Sequence, residues 1–258
     1  MADILGSLIE AMSSDTVEVV DLTQPLSDRT PIIQLPEPFA NTPPLTVHEI
    51  SRYDDRGPAW YWNWLEMGEH HGTHFDAPIH WVSGQDKPDV SQIPPAHLIG
   101  PAAVIDKTAE VAENPDYLLT VNDVRAFEAE HGSLPQGGWL LYRTGWDVRA
   151  HDQAEFLNAD DTGPHTPGVD TECARWLAEE APIVGMGVET VGTDAGAAHS
   201  FNPPFPCHFF MLGAGKYGLT QLANLDRLPP TGSVLVAAPL KLEGGSGSPT
   251  RAIALIPR

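Results

Sequence analysis

HHGTHFDAPIH (residues 70–80) is the stretch from which we begin to predict the fold of this 258-residue chain. Gly72 and Pro78 argue against a helix here, because glycine and proline are unfavourable inside helices. In an extended segment, successive side chains point to opposite sides, so positions 70, 74, 76 and 80 share one side. We therefore expect two imidazoles, a carboxylate and a further imidazole on one face: His70, His74, Asp76 and His80.

Two imidazoles and one carboxylate form a donor set that suits a divalent ion such as Zn²⁺, Mn²⁺ or Fe²⁺. Such an ion lowers the pKa of a bound water towards neutrality and polarises a carbonyl group. The alternative is a surface loop whose histidines bind nothing, and the shared parity of four such residues within eleven argues against it. His71 has the opposite parity and is expected to point away. Spacing alone does not separate His80 from the ligands.

Working outward from this stretch, short apolar runs bounded by turn residues recur along the chain. Most are nearly continuous, which is typical of strands buried on both faces. We predict strands in these runs: VEVVDL from Val17, PAAVID from Pro101, WLLYRTGW from Trp139, APIVGMGVET from Ala181, SVLVAAPL from Ser233 and AIALI from Ala252.

Helical patterns are fewer than strand patterns. We predict helices in the N-terminal segment MADILGSLIEAMSSD, after Thr120 with Asp123 completing a capping box, and in VDTECARWLAEEA from Val169. Together the patterns predict an α/β fold in which residues 1–258 form a single domain, with a strand-rich core and peripheral helices.

The composition restricts the partners of the chain. It has 35 acidic against 14 basic side chains, a formal charge of -21, which repels nucleic acids and anionic membrane surfaces. No apolar run approaches the roughly 20 residues that span a bilayer, and the N-terminal segment lacks the basic region of a signal peptide. Two cysteines cannot form a disulfide framework. We expect a soluble, cytoplasmic protein whose partner is a small molecule.

Several other segments keep two interpretations. WYWNW (residues 60–64) is either a half-buried strand on the core or an apolar wall for an aromatic substrate. His165 either contacts substrate or belongs to a turn. Glu189 and Asp194 either orient a ligand histidine or cap a turn. Cys207 is expected to be a buried, inert thiol, and EGGSGSP from Glu243 a flexible loop.

HHGTHFDAPIH closely resembles the H-x-G-T-H-x-D-x-P-x-H signature of the cyclase family of metal-dependent hydrolases. Other stretches resemble landmarks of that family in the expected order: DLTQPLS from Asp21, HTPG from His165, GVETVGTDAG from Gly187 and NLDRLP from Asn224. The resemblance implies a swivelling β/β/α fold and a homodimer with its site near the subunit boundary. It also implies that His70, His74 and Asp76 bind the metal and that His80 is the catalytic acid/base.

One departure from the family pattern bears on the number of metal ions. In the formamidase branch of the family a second cluster adds a His and, twelve residues later, a Glu. His208 matches the former, but Thr220 stands at the latter position. A neutral hydroxyl is a poor replacement for a bridging carboxylate, so we predict one ion. His208 and Thr220 would then form a hydrogen-bonded proton relay, or only satisfy each other in the core.

Without a second metal the chain is more similar to the isatin hydrolase branch, which opens the lactam of an indole-2,3-dione. By this resemblance we favour Mn²⁺ as the metal of this chain, with Zn²⁺ the alternative. This resemblance implies that metal-bound hydroxide attacks the carbonyl of a cyclic amide, while His80 protonates the leaving nitrogen. One alternative is an aryl formamidase acting on N-formylkynurenine. Another is an inactive metal-bearing binding protein, against which the presence of His80 beside all three ligands argues.

Overall fold

The computed structural model describes residues 3–258. The strands are β1 (Val17–Asp21), β2 (Thr46–Asp54), β3 (Gly57–Glu66), β4 (His74–Asp76), β5 (Ile99–Asp106), β6 (Leu118–Leu119), β7 (Trp139–Arg143), β8 (Ala159–Asp160), β9 (Gly163–Pro164), β10 (Gly168–Val169), β11 (Gly185–Val188), β12 (Tyr217–Thr220), β13 (Ser233–Pro239) and β14 (Gly247–Pro257). The α-helices are α1 (Ile4–Ser13), α2 (Thr108–Glu113), α3 (Val121–His131), α4 (Gln153–Leu157) and α5 (Thr171–Glu179).

The predicted elements are present. Each of the predicted strand runs overlaps a strand of the main sheet, namely β1, β5, β7, β11, β13 or β14. The three predicted helices correspond to α1, α3 and α5, although Met1 and Ala2 of the first lie outside the described residues. No helix within residues 3–258 is long and apolar enough to cross a membrane. The strand-rich α/β prediction is confirmed.

The largest sheet closes on itself. Its strand order is β1-β14-β13-β5-β7-β11-β12-β4, and β4 pairs a second time with β14. The strands from β14 round to β4 therefore form a closed barrel, which β1 extends as an antiparallel partner of β14. Closure leaves fewer sheet edges with unpaired backbone groups. The short strand β4 thus completes the barrel, and it contains part of the histidine stretch.

The central strands are buried on both faces, which explains their continuous apolar sequences. Trp139 and Leu141 of β7 pack with Phe75 of β4 in the cluster that fills the barrel. Leu140 and Tyr142, which have the opposite parity, pack on the outside against α3 and α5. Because side chains alternate along a strand, the parity of each residue decides whether it faces the interior or the helices.

The aromatic run at residues 60–64 lies outside the core. It belongs to β3, which forms a separate two-stranded hairpin with β2, and the indoles of Trp60, Trp62 and Trp64 are about half exposed. His48 of β2 stacks on Trp64 with 3.8 Å between ring centroids. The interpretation as a half-buried strand packed on the core is therefore wrong, because most side chains of β3 are exposed.

The capping box at the start of α3 also anchors α2. The Asp123 carboxylate accepts hydrogen bonds from the Thr120 backbone N–H at 2.9 Å and from Tyr117 Oη at 3.0 Å. Lys107 Nζ lies 2.8 Å from Asp123 Oδ1, the oxygen that also accepts from Tyr117. Burial by itself would raise the pKa of Asp123, but the hydrogen bonds from Lys107 and Thr120 outweigh burial and lower this pKa to about 2.

Replacing Asp123 with Asn removes this charge and keeps the shape of the side chain. A carboxylate with a lowered pKa stabilises the folded state above its unfolded pKa of 3.8, and this contribution disappears as the pH falls through 3.8 towards 2. We expect the free energy of unfolding to fall by about 2 kcal/mol at pH 7 and the difference from the parent to shrink towards pH 2. Urea denaturation across this pH range measures both effects.

Glu130→Gln on the same helix is the matched control, because the Glu130 side chain is 77% exposed. This control should change the free energy of unfolding by less than about 0.5 kcal/mol. A stability difference for Asp123→Asn that does not vary with pH would contradict the electrostatic explanation.

Candidate metal centre

Strand β4 presents two potential ligands on the outer face of the barrel. Phe75 points into the barrel, so His74 and Asp76 on either side of it point outward. Opposite Asp76 in the neighbouring strand β12 is Gly218, where a Cβ atom would lie 2.6 Å from Asp76 Oδ2. The missing side chain on β12 therefore leaves room for the Asp76 carboxylate.

Three side chains converge at this point. His70, His74 and Asp76 each offer one potential ligand atom, and these atoms lie within 4.8 Å of one another. His70 Nδ1 is 2.8 Å and His74 Nε2 is 3.3 Å from Asp76 Oδ1. The predicted donor set is thus assembled, with nitrogen and oxygen donors that fit a divalent ion.

The electrostatics of Asp76 suit a cation. Its side chain is only 2% exposed, and burial by itself would raise its pKa. The charge of His74 and the hydrogen bond with His70 overcome burial and hold the pKa of Asp76 well below its usual range. A buried carboxylate of this kind needs compensating partners, which here are the two other potential ligands.

His80 lies beside the donor set by a route that the extended interpretation did not predict. The chain leaves the strand after Asp76 and forms a 3₁₀ turn over Pro78–His80. The His80 ring stacks on His70, with 3.8 Å between centroids, and is not one of the three converging donors. Burial lowers the pKa of His80 to about 3, partly opposed by the Asp76 charge, so its imidazole is neutral at pH 7.

The prediction of a hydrogen bond between His208 and Thr220 is wrong. Thr220 Oγ1 instead lies 2.9 Å from Nδ1 and 3.1 Å from Nε2 of His74. The shortest side-chain hydrogen bond of His208 Nδ1 among the described residues is with Asp194 Oδ2, at 2.5 Å. The side chains separate because Thr220 lies on β12 beside β4, whereas His208 starts a π-helical turn at His208–Leu212.

Asp194 therefore orients a histidine of the site. It also accepts hydrogen bonds from the backbone N–H groups of Cys207 and His208, at 2.7 and 3.0 Å. Burial favours neutral His208, but the hydrogen bond with Asp194 raises the pKa of His208. The Nε2 atom of His208 remains 3.9 Å from Asp76 Oδ2, which places this imidazole at the edge of the donor set.

The other polar candidates lie outside the donor set. Glu189 Oε2 accepts from Thr144 and Trp146, so it organises a turn and not a site histidine. His165 is bound by exposed acidic residues, Asp116 and Asp160, at 2.7 and 3.2 Å. His71 is not one of the three converging donors, and it is fully buried with no hydrogen-bond partner for its ring nitrogens within residues 3–258.

Cys207 is buried, and burial raises its pKa far above the usual value for a thiol. The thiol is therefore protonated at neutral pH and is not a nucleophile. The sequence-based expectation of an inert Cys207 agrees with this geometry.

Sequence reasoning missed an aromatic wall beside the site. Trp81 is half-buried, and its ring centroid lies 4.9 Å from that of His208 and 5.6 Å from that of Phe205. The only sequence signal for Trp81 was its position directly after His80. Phe205 carried no such signal, because it comes from a loop more than a hundred residues away.

The chain is similar in sequence and structure to several known proteins. Residues 20–195 match the family described as "Putative cyclase". An isatin hydrolase from Roseibium aggregatum is 50% identical over 257 residues, which cover 98% of this chain and 97% of that protein. A kynurenine formamidase from Salinibacter ruber is 29% identical over 73% of this chain and 77% of its own length.

A crystal structure of an isatin hydrolase bound to the product analogue thioisatinate superimposes with a TM-score of 0.97, at 49% identity and full coverage of both chains. The swivelling β/β/α fold implied by the resemblance is thereby confirmed. Since the family match covers most of the chain and the isatin hydrolase is half identical along its whole length, this chain belongs to the cyclase family of metal-dependent hydrolases.

Proposed function

We propose that the protein is a metal-dependent hydrolase that opens the cyclic amide of isatin or of a similar lactam or imide. The observation that carries the proposal is the assembled donor set of His70, His74 and Asp76 in a chain that matches an isatin hydrolase along its whole length. Fold similarity alone would not define a reaction, because one fold hosts many activities. Here the residues suited to hydrolysis are present as well.

The donor set would hold one divalent ion, for which we favour Mn²⁺ over Zn²⁺ by resemblance to the isatin hydrolases. A bound ion would supply an activated water and polarise the carbonyl of the substrate. The single-ion proposal rests on Thr220, whose neutral side chain lies against His74 where a dinuclear site would need a carboxylate. His70 and His74 orient the Asp76 carboxylate within the site.

His80 is the proposed acid/base. Its ring stacks on His70, which holds it beside the donors, and no other side chain among residues 3–258 hydrogen-bonds to its imidazole. A neutral imidazole with a free nitrogen accepts a proton from water and passes it to the departing nitrogen of the amide. His208, held by Asp194, lies 5.6 Å from the His80 ring and supplies a second polar group there.

Thr220 contacts the ligand His74 instead of His208, so a direct proton relay from Thr220 to His208 is not part of this proposal.

The substrate is proposed to be a small aromatic carbonyl compound. Trp81 and Phe205 form an edge-to-face pair beside His80 and His208, so they offer apolar ring surface next to the reacting groups. A flat bicyclic substrate would pack against this surface, and aromatic contacts contribute about 0.5–1.5 kcal/mol beyond the burial of area. A carbonyl of the same substrate would then face the donor set.

The cysteines bear on the cell compartment, and the strand pairing bears on the domain organisation. We propose a cytoplasmic enzyme, because both cysteines are free thiols. We also propose that residues 1–258 act as one domain, since β1 pairs along its length with β14 and the barrel takes strands from most of the chain between them.

Kynurenine formamidase activity is the second candidate, supported by the 29% identity to the Salinibacter ruber enzyme. Assaying isatin and N-formylkynurenine side by side after loading metal-free protein with Mn²⁺ or Zn²⁺ separates the two. We expect kcat/KM for isatin to be larger by at least about tenfold, because a rigid bicycle loses less freedom on binding than a flexible chain. We also expect Mn²⁺ to support the higher rate. Hydrolysis of the formamide alone would contradict the ranking.

Metal content distinguishes the roles of the histidines. His74→Ala should lose the ion, whereas His80→Ala should keep about one ion per chain and lose turnover by at least about a hundredfold. Inductively coupled plasma mass spectrometry and the isatin assay measure the two properties. His151→Ala, at an exposed histidine, should retain both. Loss of metal from His80→Ala would make His80 a ligand, and two tightly held ions would contradict the single-ion proposal.

The hairpin β2–β3 supports the proposed homodimer. Trp60, Trp62 and Trp64 alternate along β3, so three half-exposed indoles lie on one face. Large aromatic rings exposed in this way are typical of protein interfaces, where each buries 150–250 Å² or thereabouts. A second copy of the chain is the proposed partner of this face.

Sedimentation equilibrium should give twice the chain mass of 27.9 kDa. Replacing Trp62 and Trp64 with Ser should raise the dimer dissociation constant by at least about a hundredfold, the loss of two buried anchors. Val148→Ser removes an even more exposed apolar side chain elsewhere and should leave the dimer intact. A monomeric parent protein, or equal dissociation of both variants, would be the contrary result.

A further inference from the structure

The loop between β13 and β14 reaches the candidate metal centre. The Ser246 carbonyl accepts a hydrogen bond from Ala77 N, one residue beyond the ligand Asp76, at 3.0 Å. Gly244 N donates to Asp89 Oδ2 at 3.0 Å, and Gly245 O accepts from Val90 N at 2.9 Å. The stretch expected to be a flexible loop is therefore attached at three successive residues.

The attached loop brings a hydroxyl to one nitrogen of His70. Ser246 Oγ lies 2.8 Å from His70 Nε2, whereas His70 Nδ1 faces Asp76 Oδ1 at 2.8 Å. Gly247 makes this approach possible, because a Cβ atom there would lie 2.6 Å from His70 Cε1. The ring is thus held between the loop on one side and the other donors on the opposite side.

Glu69 completes a chain of hydrogen bonds. Ser246 Oγ and the Ser246 backbone N–H both donate to Glu69 Oε2, at 2.7 and 2.9 Å. Because the hydroxyl hydrogen is directed to Glu69, the Ser246 oxygen is left to accept the N–H of His70 Nε2. A neutral imidazole carries one N–H, so Nδ1 keeps its lone pair on the side of Asp76 and His74.

His74 shows the complementary arrangement. Its Nδ1 lies 2.7 Å from the carbonyl oxygen of Gly72, which accepts the N–H, so the lone pair of the ring is on Nε2, which faces Asp76 Oδ1 at 3.3 Å. Histidine ligands commonly donate their second ring N–H to a carbonyl or carboxylate, which fixes the tautomer and raises ligand basicity. For His70, Ser246 would relay the same effect from Glu69.

We propose that Glu69 and Ser246 are positioning residues that fix the tautomer of His70 and make its Nδ1 the metal-binding nitrogen. The inference rests on the proposed metal centre and extends it to two residues outside the donor set. One lies next to His70 in sequence, and the other lies 176 residues away.

The test is the affinity of metal-free protein for Mn²⁺, measured by isothermal titration calorimetry and by the electron paramagnetic resonance signal of free Mn²⁺. Ser246→Ala should weaken binding by about tenfold to a hundredfold. Ser246→Thr keeps the hydroxyl and should restore most of the affinity. Glu69→Ala should also weaken binding, and the double variant Glu69→Ala/Ser246→Ala should be no weaker than Ser246→Ala, because the two residues act in one chain.

Ser248→Ala is the matched control. It removes a hydroxyl two residues further on, which contacts Leu240 N and Pro249 O but not His70. This variant should bind Mn²⁺ within about twofold of the parent. Parent-like affinity in Ser246→Ala, or equal weakening by Ser246→Ala and Ser248→Ala, would overturn the inference and leave the metal centre standing. A parent protein that binds no divalent ion would overturn both.

Discussion

The buried Asp76 carboxylate is the group on which the arrangement of the site depends. It lies in the three-residue strand that closes the barrel, paired with β12 on one side and β14 on the other. An isolated charge at such a position is costly, and it is stable only with hydrogen bonds or opposite charge around it. Nitrogen atoms of His70 and His74 face this carboxylate at 2.8 and 3.3 Å, and a cation bound between the three groups would provide the opposite charge.

The strand pairing that closes the barrel therefore also brings the residues of the site together. Gly218 on β12 and Gly247 on β14 both lie opposite Asp76, and both leave space that a side chain would fill. The same pairing places Ser246 next to His70 and Thr220 next to His74. The metal centre is thus held by main-chain pairing on two sides, with rigid strands under the donors.

Much of the fold was predictable because local patterns agree with burial. The apolar runs at β5, β7 and β11 are continuous because these strands carry the core on one face and helices on the other. The capping box at Thr120 formed as expected, since its hydrogen bonds join residues three positions apart. The sequence could not place WYWNW, because an aromatic strand has the same pattern whether it covers a core or forms an exposed hairpin.

The sequence by itself determined the donor types, their spacing and the parity that puts His74 and Asp76 on one face, because these depend on backbone geometry over a few residues. It did not determine the 3₁₀ turn that carries His80, the separation of His208 from Thr220, or the arrival of Asp194, Phe205 and Ser246. Only the tertiary structure decided those contacts, because the register of β12 and β14 against β4 is set by closing the barrel around its core.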